Sequence, residues 1–191
     1  MKLSYKILLS FTLLIAVAIL YRLIPMPSGI YGITPMFAMA IFGGVLFSKD
    51  KKYAFALPLI TFFLSDVLFE ILFKAGKWSV PGFYSGQLIN YILFALVTCL
   101  GFFIKKAKVL NIAVASVAAP TLFYILSNFS VWITGNYYPK SLAGLQQCYV
   151  AGWPFYFPYS IVSTLVFSGI LFGAYAFLIK GKIISANHTA I

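Results

Sequence analysis

The sequence predicts an all-α integral membrane protein, a bundle of six transmembrane helices with both termini in the cytoplasm. Three observations predict it. Of the 191 residues 62% are hydrophobic and 9% charged, with a mean hydropathy of +0.99, more apolar surface than the exterior of a soluble domain can carry. Apolar runs of span length recur along the chain. The basic residues fall in the gaps between those runs and alternate from heavy to sparse. At roughly 20 residues per span, this length holds about five to seven helices in one transmembrane domain, 1–191.

The elements follow in order, with spans expected near 7–24, 33–48, 53–73, 87–104, 110–134 and 158–179. Lys2 and Lys6 before the run from Ile7 to Leu20 give the N-terminus the look of a signal peptide, but Ala16-Val17-Ala18 lies inside the apolar run rather than after it, so the segment reads as the first helix. The second run is short for a bilayer and is expected to lie steeply or partly buried. It opens on Thr34-Pro35, a capping residue and a proline in the first turn, where the missing N–H is harmless. Pro120 falls mid-span in the fifth and is expected to kink it.

Charge sets the orientation. Lys2, Lys6, Lys49, Lys51, Lys52, Lys105, Lys106, Lys108, Lys180 and Lys182 fall on one side, and Arg22, Lys74, Lys77 and Lys140 on the other. The basic excess stays cytoplasmic, so both termini are inside and the protein is multi-pass in the bacterial inner membrane. The net charge of +11 therefore meets lipid headgroups, and nucleic acid is excluded as a partner. The outer connections, near 22–32, 74–86 and 135–157, carry Tyr, Trp, Pro and Gly. They read either as caps of a site or as an interfacial aromatic belt. Small pairs, Ala40 with Gly44, Ala115 with Ala119 and Gly169 with Gly173, suit close helix packing within the bundle or against a partner.

HExxH, GxGxxG, Walker and GxSxG motifs are absent and the single histidine is His188, which argues against an enzyme, a cofactor or a metal centre. What remains is polar groups inside spans. Asp66 and Glu70, two of the three acidic residues, stand four apart on one helical face. With Asn90, Asn128 and Trp132 they fall in the outer half of their spans. An ionised carboxylate in hydrocarbon is costly unless paired or wet, so these groups should face the bundle interior. Two readings stay open: a solute pocket opening outward, lidded by a loop at 135–157, or a network in which Asp66 accepts from Asn90 or Asn128 and Glu70 sits near Lys74. Tyr138, Lys140, Cys148 and Tyr149 complete the candidate substrate-binding set at the membrane mouth, where Lys140 suits a carboxylate or phosphate and Cys148 offers one soft ligand. Cys99 and Cys148 lie on opposite halves of the bilayer and should not pair.

Thr34-Pro35 through Ala38, Ala40, Phe42-Gly43-Gly44, Leu64-Ser65-Asp66, Asn128-Phe129, Val131-Trp132, Tyr138-Pro139-Lys140, Leu142, Gly144-Leu145 and Cys148-Tyr149 together resemble a family of bacterial membrane proteins that has no assigned substrate and is described only as candidate transport proteins. The small size, six spans and inward termini are also similar to the substrate-binding S components of energy-coupling-factor transporters. That similarity implies capture of a vitamin- or metal-like solute from outside, small residues of the first three helices facing a transmembrane coupling subunit, and ATPases as further partners. Such a subunit would lose ligand binding on Asp66→Asn without losing insertion. The alternative, from another class, is a non-transporting scaffold of a cell-envelope complex; a lipid-modifying enzyme using Asp66 and Glu70 as acid and base is a third.

Overall fold

The computed structural model describes residues 32–188 together with Ile15, Ala16, Ala18, Ile19, Tyr21 and Ile24. Among them there are six helices and no strand: α1 (Met36–Leu46), α2 (Lys51–Lys74), α3 (Gln87–Phe102), α4 (Val109–Thr134), α5 (Leu142–Tyr156) and α6 (Tyr159–His188). Most of the first expected span, 7–24, and all of Arg22 and Tyr31 lie outside the described residues, although Ala18 is buried in the core and the Tyr21 ring meets Phe167 edge-on at 5.1 Å.

Three helices are long and apolar enough to cross a membrane: α2, α4 and the stretch Tyr159–Phe177 of α6. Their outer faces are studded with exposed apolar side chains, Ile60, Phe63 and Ile71 on α2, Val114 and Ile125 on α4, Val162 and Ile170 on α6. α1 is different. Its 11 residues extend about 16 Å, half of a hydrocarbon layer, and Met36 through Gly44 are all buried. It is the axis of the bundle, packed on α2, α3, α4 and α6, which accounts for a run that is apolar on every side.

Small residues make that sheathing possible. Gly44 sits on Gly101 of α3, where an added Cβ would meet the Thr98 carbonyl at 2.3 Å, and a Cβ on Gly101 would meet the Ile41 carbonyl at 2.6 Å. Ala40, Ala115 and Ala119 are buried as well, so two of the three small pairs serve packing inside this chain. Gly169 and Gly173 of α6 face open space.

The expected outer loop at 135–157 is corrected: its greater part is α5, 15 residues capped by Ser141, whose hydroxyl accepts from the Gly144 N–H at 3.2 Å. α5 runs antiparallel to α4 and close against it. Cys148 and Gly152 touch Asn128, Tyr149 reaches Ile125, and Tyr156 reaches Thr121 halfway down α4. The chain is extended at Phe157 (φ −118°, ψ 136°) and then continues as α6, with Ser168 bonded to Ser116 at 2.8 Å and Phe172 against Phe42 of α1. α5 and α6 together therefore track α4 along its length as one interrupted helix, the interruption lying at mid-height. α4 itself runs through Pro120 as a single helical stretch.

Candidate functional site

The acidic pair on α2 forms a clasp. Gln87 at the start of α3 donates its amide to Asp66 at 2.5 Å and to the Gly82 carbonyl at 3.0 Å, and the Tyr91 hydroxyl donates to the same Asp66 oxygen at 2.7 Å. One turn further along α2, Glu70 accepts from the Gly82 and Phe83 N–H groups at 3.1 and 3.3 Å and pairs with Lys74 at 3.2 Å. The Tyr84 N–H closes the ring onto the Gln87 side-chain oxygen at 3.1 Å. Gly82 is obligatory there, since a Cβ would stand 1.9 Å from the Asp66 carbonyl. Asp66 and Gln87 are 3% and 4% exposed, so this is a dry network binding the connection between α2 and α3 onto α2.

Gln87 and Tyr91 are thus partners of Asp66, and neither Asn90 nor Asn128 bonds it. Gln87 and Tyr91 stand four apart on one face of α3; Asn90, beside them, gives its amide to the Tyr84 hydroxyl instead.

It looks into a cavity of about 550 Å³. Five phenylalanines line it: Phe155 of α5, and Phe37, Phe62, Phe94 and Phe123 from four other helices, these four gathered around Phe94, whose ring centre lies 5.2, 4.7 and 5.1 Å from the other three. Asn90 and Asn128 both line this cavity from α3 and α4, with Ser127, Tyr124 and Tyr156 nearby. The Asn90 amide donates to the Tyr84 hydroxyl at 2.5 Å, and that of Asn128 to the Tyr124 carbonyl at 2.8 Å. A second cavity of about 310 Å³ shares Gly32, Thr34, Phe62 and Phe94 with the first.

Two non-helical stretches meet at the cavity. The segment 32–35 ahead of α1 and the break between α5 and α6 are joined by Ser160, whose hydroxyl reaches the Gly32 carbonyl at 3.0 Å and the Phe155 carbonyl at 2.7 Å. Gly32 has φ +77°, and a Cβ there would stand 2.2 Å from the Phe155 carbonyl, so glycine is required for both its backbone angle and its close approach. Non-helical backbone deep among apolar helices is tolerated where it is bonded within the protein or lines a cavity, and here it does both.

The remaining candidates lie elsewhere. Trp132 donates its indole N–H to the Pro139 carbonyl at 2.9 Å, and Lys140 donates to the carbonyls of Trp132 and Gly135 while lying 5.8 Å from the Trp132 ring centre. Both close the turn between α4 and α5, where Tyr138 also sits. Cys148, 2% exposed, donates to the Asn128 carbonyl at 3.3 Å, and Tyr149 donates to the Ile125 carbonyl at 2.9 Å while its own carbonyl accepts from Tyr124. These two fasten α5 to α4. Among the described residues no cluster of His, Cys, Asp and Glu is placed to hold a metal ion.

Gln87, Tyr91, the phenylalanine cluster and Ser160 were not singled out from sequence. Gln87 and Tyr91, polar residues four apart opposite a pair also four apart, carried a signal. The phenylalanines, four among 20, carried none.

Among the described residues the fold and cavity define an all-helical protein with three helices of membrane-crossing length and a half-open, largely aromatic hollow. The chain belongs to the family described as Family of unknown function (DUF6580), whose family model matches residues 2–186. This agrees with the resemblance to a family without an assigned substrate and is silent on the likeness to S components. No curated protein and no solved structure matches the chain.

Proposed function

We propose that this protein is a multi-pass protein of the bacterial cytoplasmic membrane that binds a small solute in the cavity between Asn90 and Asn128, and that it serves a transport system as its substrate-binding subunit rather than acting as an enzyme. In this reading α2, α4 and the α5–α6 pair cross the bilayer, the shorter α3 crosses beside them with Leu88, Ile92 and Leu96 exposed, and α1 stays sheathed. The lysine-rich connections 47–50 and 103–108 lie in the cytoplasm and the cavity belongs to the opposite, external half. The observation that carries the proposal is the meeting of two non-helical stretches, 32–35 ahead of α1 and the break between α5 and α6, at one hollow. Discontinuous helices converging on a cavity at membrane depth are how many transporters build solute sites, and about 550 Å³ lies within the usual range for small-molecule pockets. Without a Walker loop in the chain, an ATP-driven step requires a coupling subunit and ATPases as partners.

Mass spectrometry of small molecules retained by the gently purified chain tests this. A solute held by the wild type and lost from Gly152→Leu, which pushes a side chain at Asn128 and the cavity wall, is the expected result; retention by both variants alike would refute a site in this cavity. The scaffold reading draws on the clasp, which occupies both carboxylates of α2, and on the bare α6 surface at Gly169 and Gly173. A chain that keeps its cellular role with the cavity filled would select it.

A further inference from the structure

The two asparagines narrow the chemistry of the solute, granted the reading above that the cavity holds one. Each has its NH₂ engaged inside the protein, Asn90 with the Tyr84 hydroxyl and Asn128 with the Tyr124 carbonyl. The Asn128 case fixes the amide orientation, because a backbone carbonyl only accepts. Its side-chain oxygen then has the Cys148 sulfur at 4.0 Å as a distant donor, and the Asn90 oxygen has none among the described residues. Two walls of one cavity therefore each present a hydrogen-bond acceptor, which asks for donors on the solute.

The rest of the lining is aromatic and uncharged. Among the described residues no Asp, Glu, Lys or Arg lines either cavity, and a charge held in an apolar hollow without a counter-charge is strongly disfavoured. The nearest competitor is an organic cation, which aromatic faces attract. Some of the faces here are taken up by each other: Phe37 and Phe94 stack with an interplanar angle of 19°, and Tyr124 and Tyr156 stack at 11° with centres 4.5 Å apart. Each stack covers one face of each ring, which leaves a cation fewer aromatic faces than free rings would offer.

We infer that the solute is an uncharged, flat, conjugated ring compound bearing N–H donors on its edge, held edge-on by the oxygens of Asn90 and Asn128 within the phenylalanine cluster.

The inference is tested with one bicyclic frame in four forms, offered to the full purified chain in detergent and read by equilibrium dialysis: 2-quinolinone, N-methyl-2-quinolinone, N-methylquinolinium and quinoline-2-carboxylate. 2-Quinolinone should bind, its N-methyl form at least fivefold more weakly, and both ions at least tenfold more weakly, with Gly152→Leu abolishing all binding above detergent background. Asn90→Ala and, separately, Asn128→Ala should remove the preference for the N–H form while leaving N-methyl-2-quinolinone unchanged. The comparison of the two neutral probes on wild-type protein needs no variant and stands if either one fails to fold. An ion binding as tightly as 2-quinolinone, or no loss on N-methylation, overturns the solute class and leaves the cavity as a site. Binding of none of the four, or binding indifferent to Gly152→Leu, overturns the class together with the reading it rests on.

Discussion

At the outer end of α2 and α3, Asp66, Gln87, Tyr91 and Glu70 satisfy one another and the backbone of the connection between the helices. On the facing walls of α3 and α4, Asn90 and Asn128 satisfy only half of their amides and border a hollow. Both regions place polar groups among apolar helices, and the difference between them is one of roles. A saturated network holds the protein together and has nothing to offer a ligand. A half-buried pair with oxygens to spare beside open space can still bond a solute. The carboxylates, which drew attention first in the sequence, belong to the first kind.

Substitutions can break or sharpen that contrast. The largest effect is expected from Asp66→Leu, which removes the buried acceptor shared by the Gln87 amide and the Tyr91 hydroxyl and should destabilise by roughly 2–4 kcal/mol. Thermal unfolding in detergent measures it, and a melting temperature equal to wild type would show that the clasp holds nothing. The milder Asp66→Asn, expected from sequence to act on ligand binding, should instead lower the melting temperature. Gly152→Leu comes next, because a side chain at that position runs into the Asn128 amide, 2.2 Å from its Cβ. Parting α5 from α4 should cost about 1–3 kcal/mol along with the loss of any retained solute; an unshifted melt would place the α4–α5 contact differently.

The double replacement Asn90→Ala with Asn128→Ala sharpens the comparison from the other side. Each amide makes one internal bond of modest net value, about 0.5–1.5 kcal/mol, so the fold should lose little while solute retention falls at least tenfold. A large stability loss with retention intact would reverse the assignment of the two regions. The smallest effect belongs to Lys74→Ala. Lys74 is 74% exposed in its ion pair with Glu70, and exposed pairs of this kind contribute little. No resolvable shift in the melt is expected, while a clear one would make the ion pair, rather than the two backbone N–H groups, the anchor of the clasp.

Much of the helical plan was legible. Five of the described helices fall where apolar runs predicted them, within a few residues, because a long run without charge has few other fates. α5 escaped because Gly144, Gly152, Pro154 and two glutamines interrupt its hydrophobicity and 15 residues are too few for a span. Ser141 as a cap and Leu142, Leu145, Tyr149 and Trp153 at helical spacing were present all the same, and they are what a helix lying along α4 requires. The candidate site was legible only in part. Depth along a helix can be counted from its ends, and that brought Asn90 and Asn128 to the same level. Azimuth cannot be counted, and it turned Asp66 toward Gln87 and Tyr91 and directed Trp132 and Lys140 into a turn.

Composition and the order of apolar runs determined by themselves that this chain is helical and carries apolar segments of membrane-crossing length, because burying that much apolar surface and pairing every backbone group leaves the helix as the economical solution. The tertiary structure alone decided that α1 is an axis rather than a span, that α5 and α6 form one interrupted helix, and that a hollow stands between two asparagines. Those outcomes depend on how helices rotate and press together, through contacts such as Gly44 on Gly101 and Gly32 on Phe155. Such contacts join residues far apart in the chain, and no local pattern encodes which of many small residues will meet.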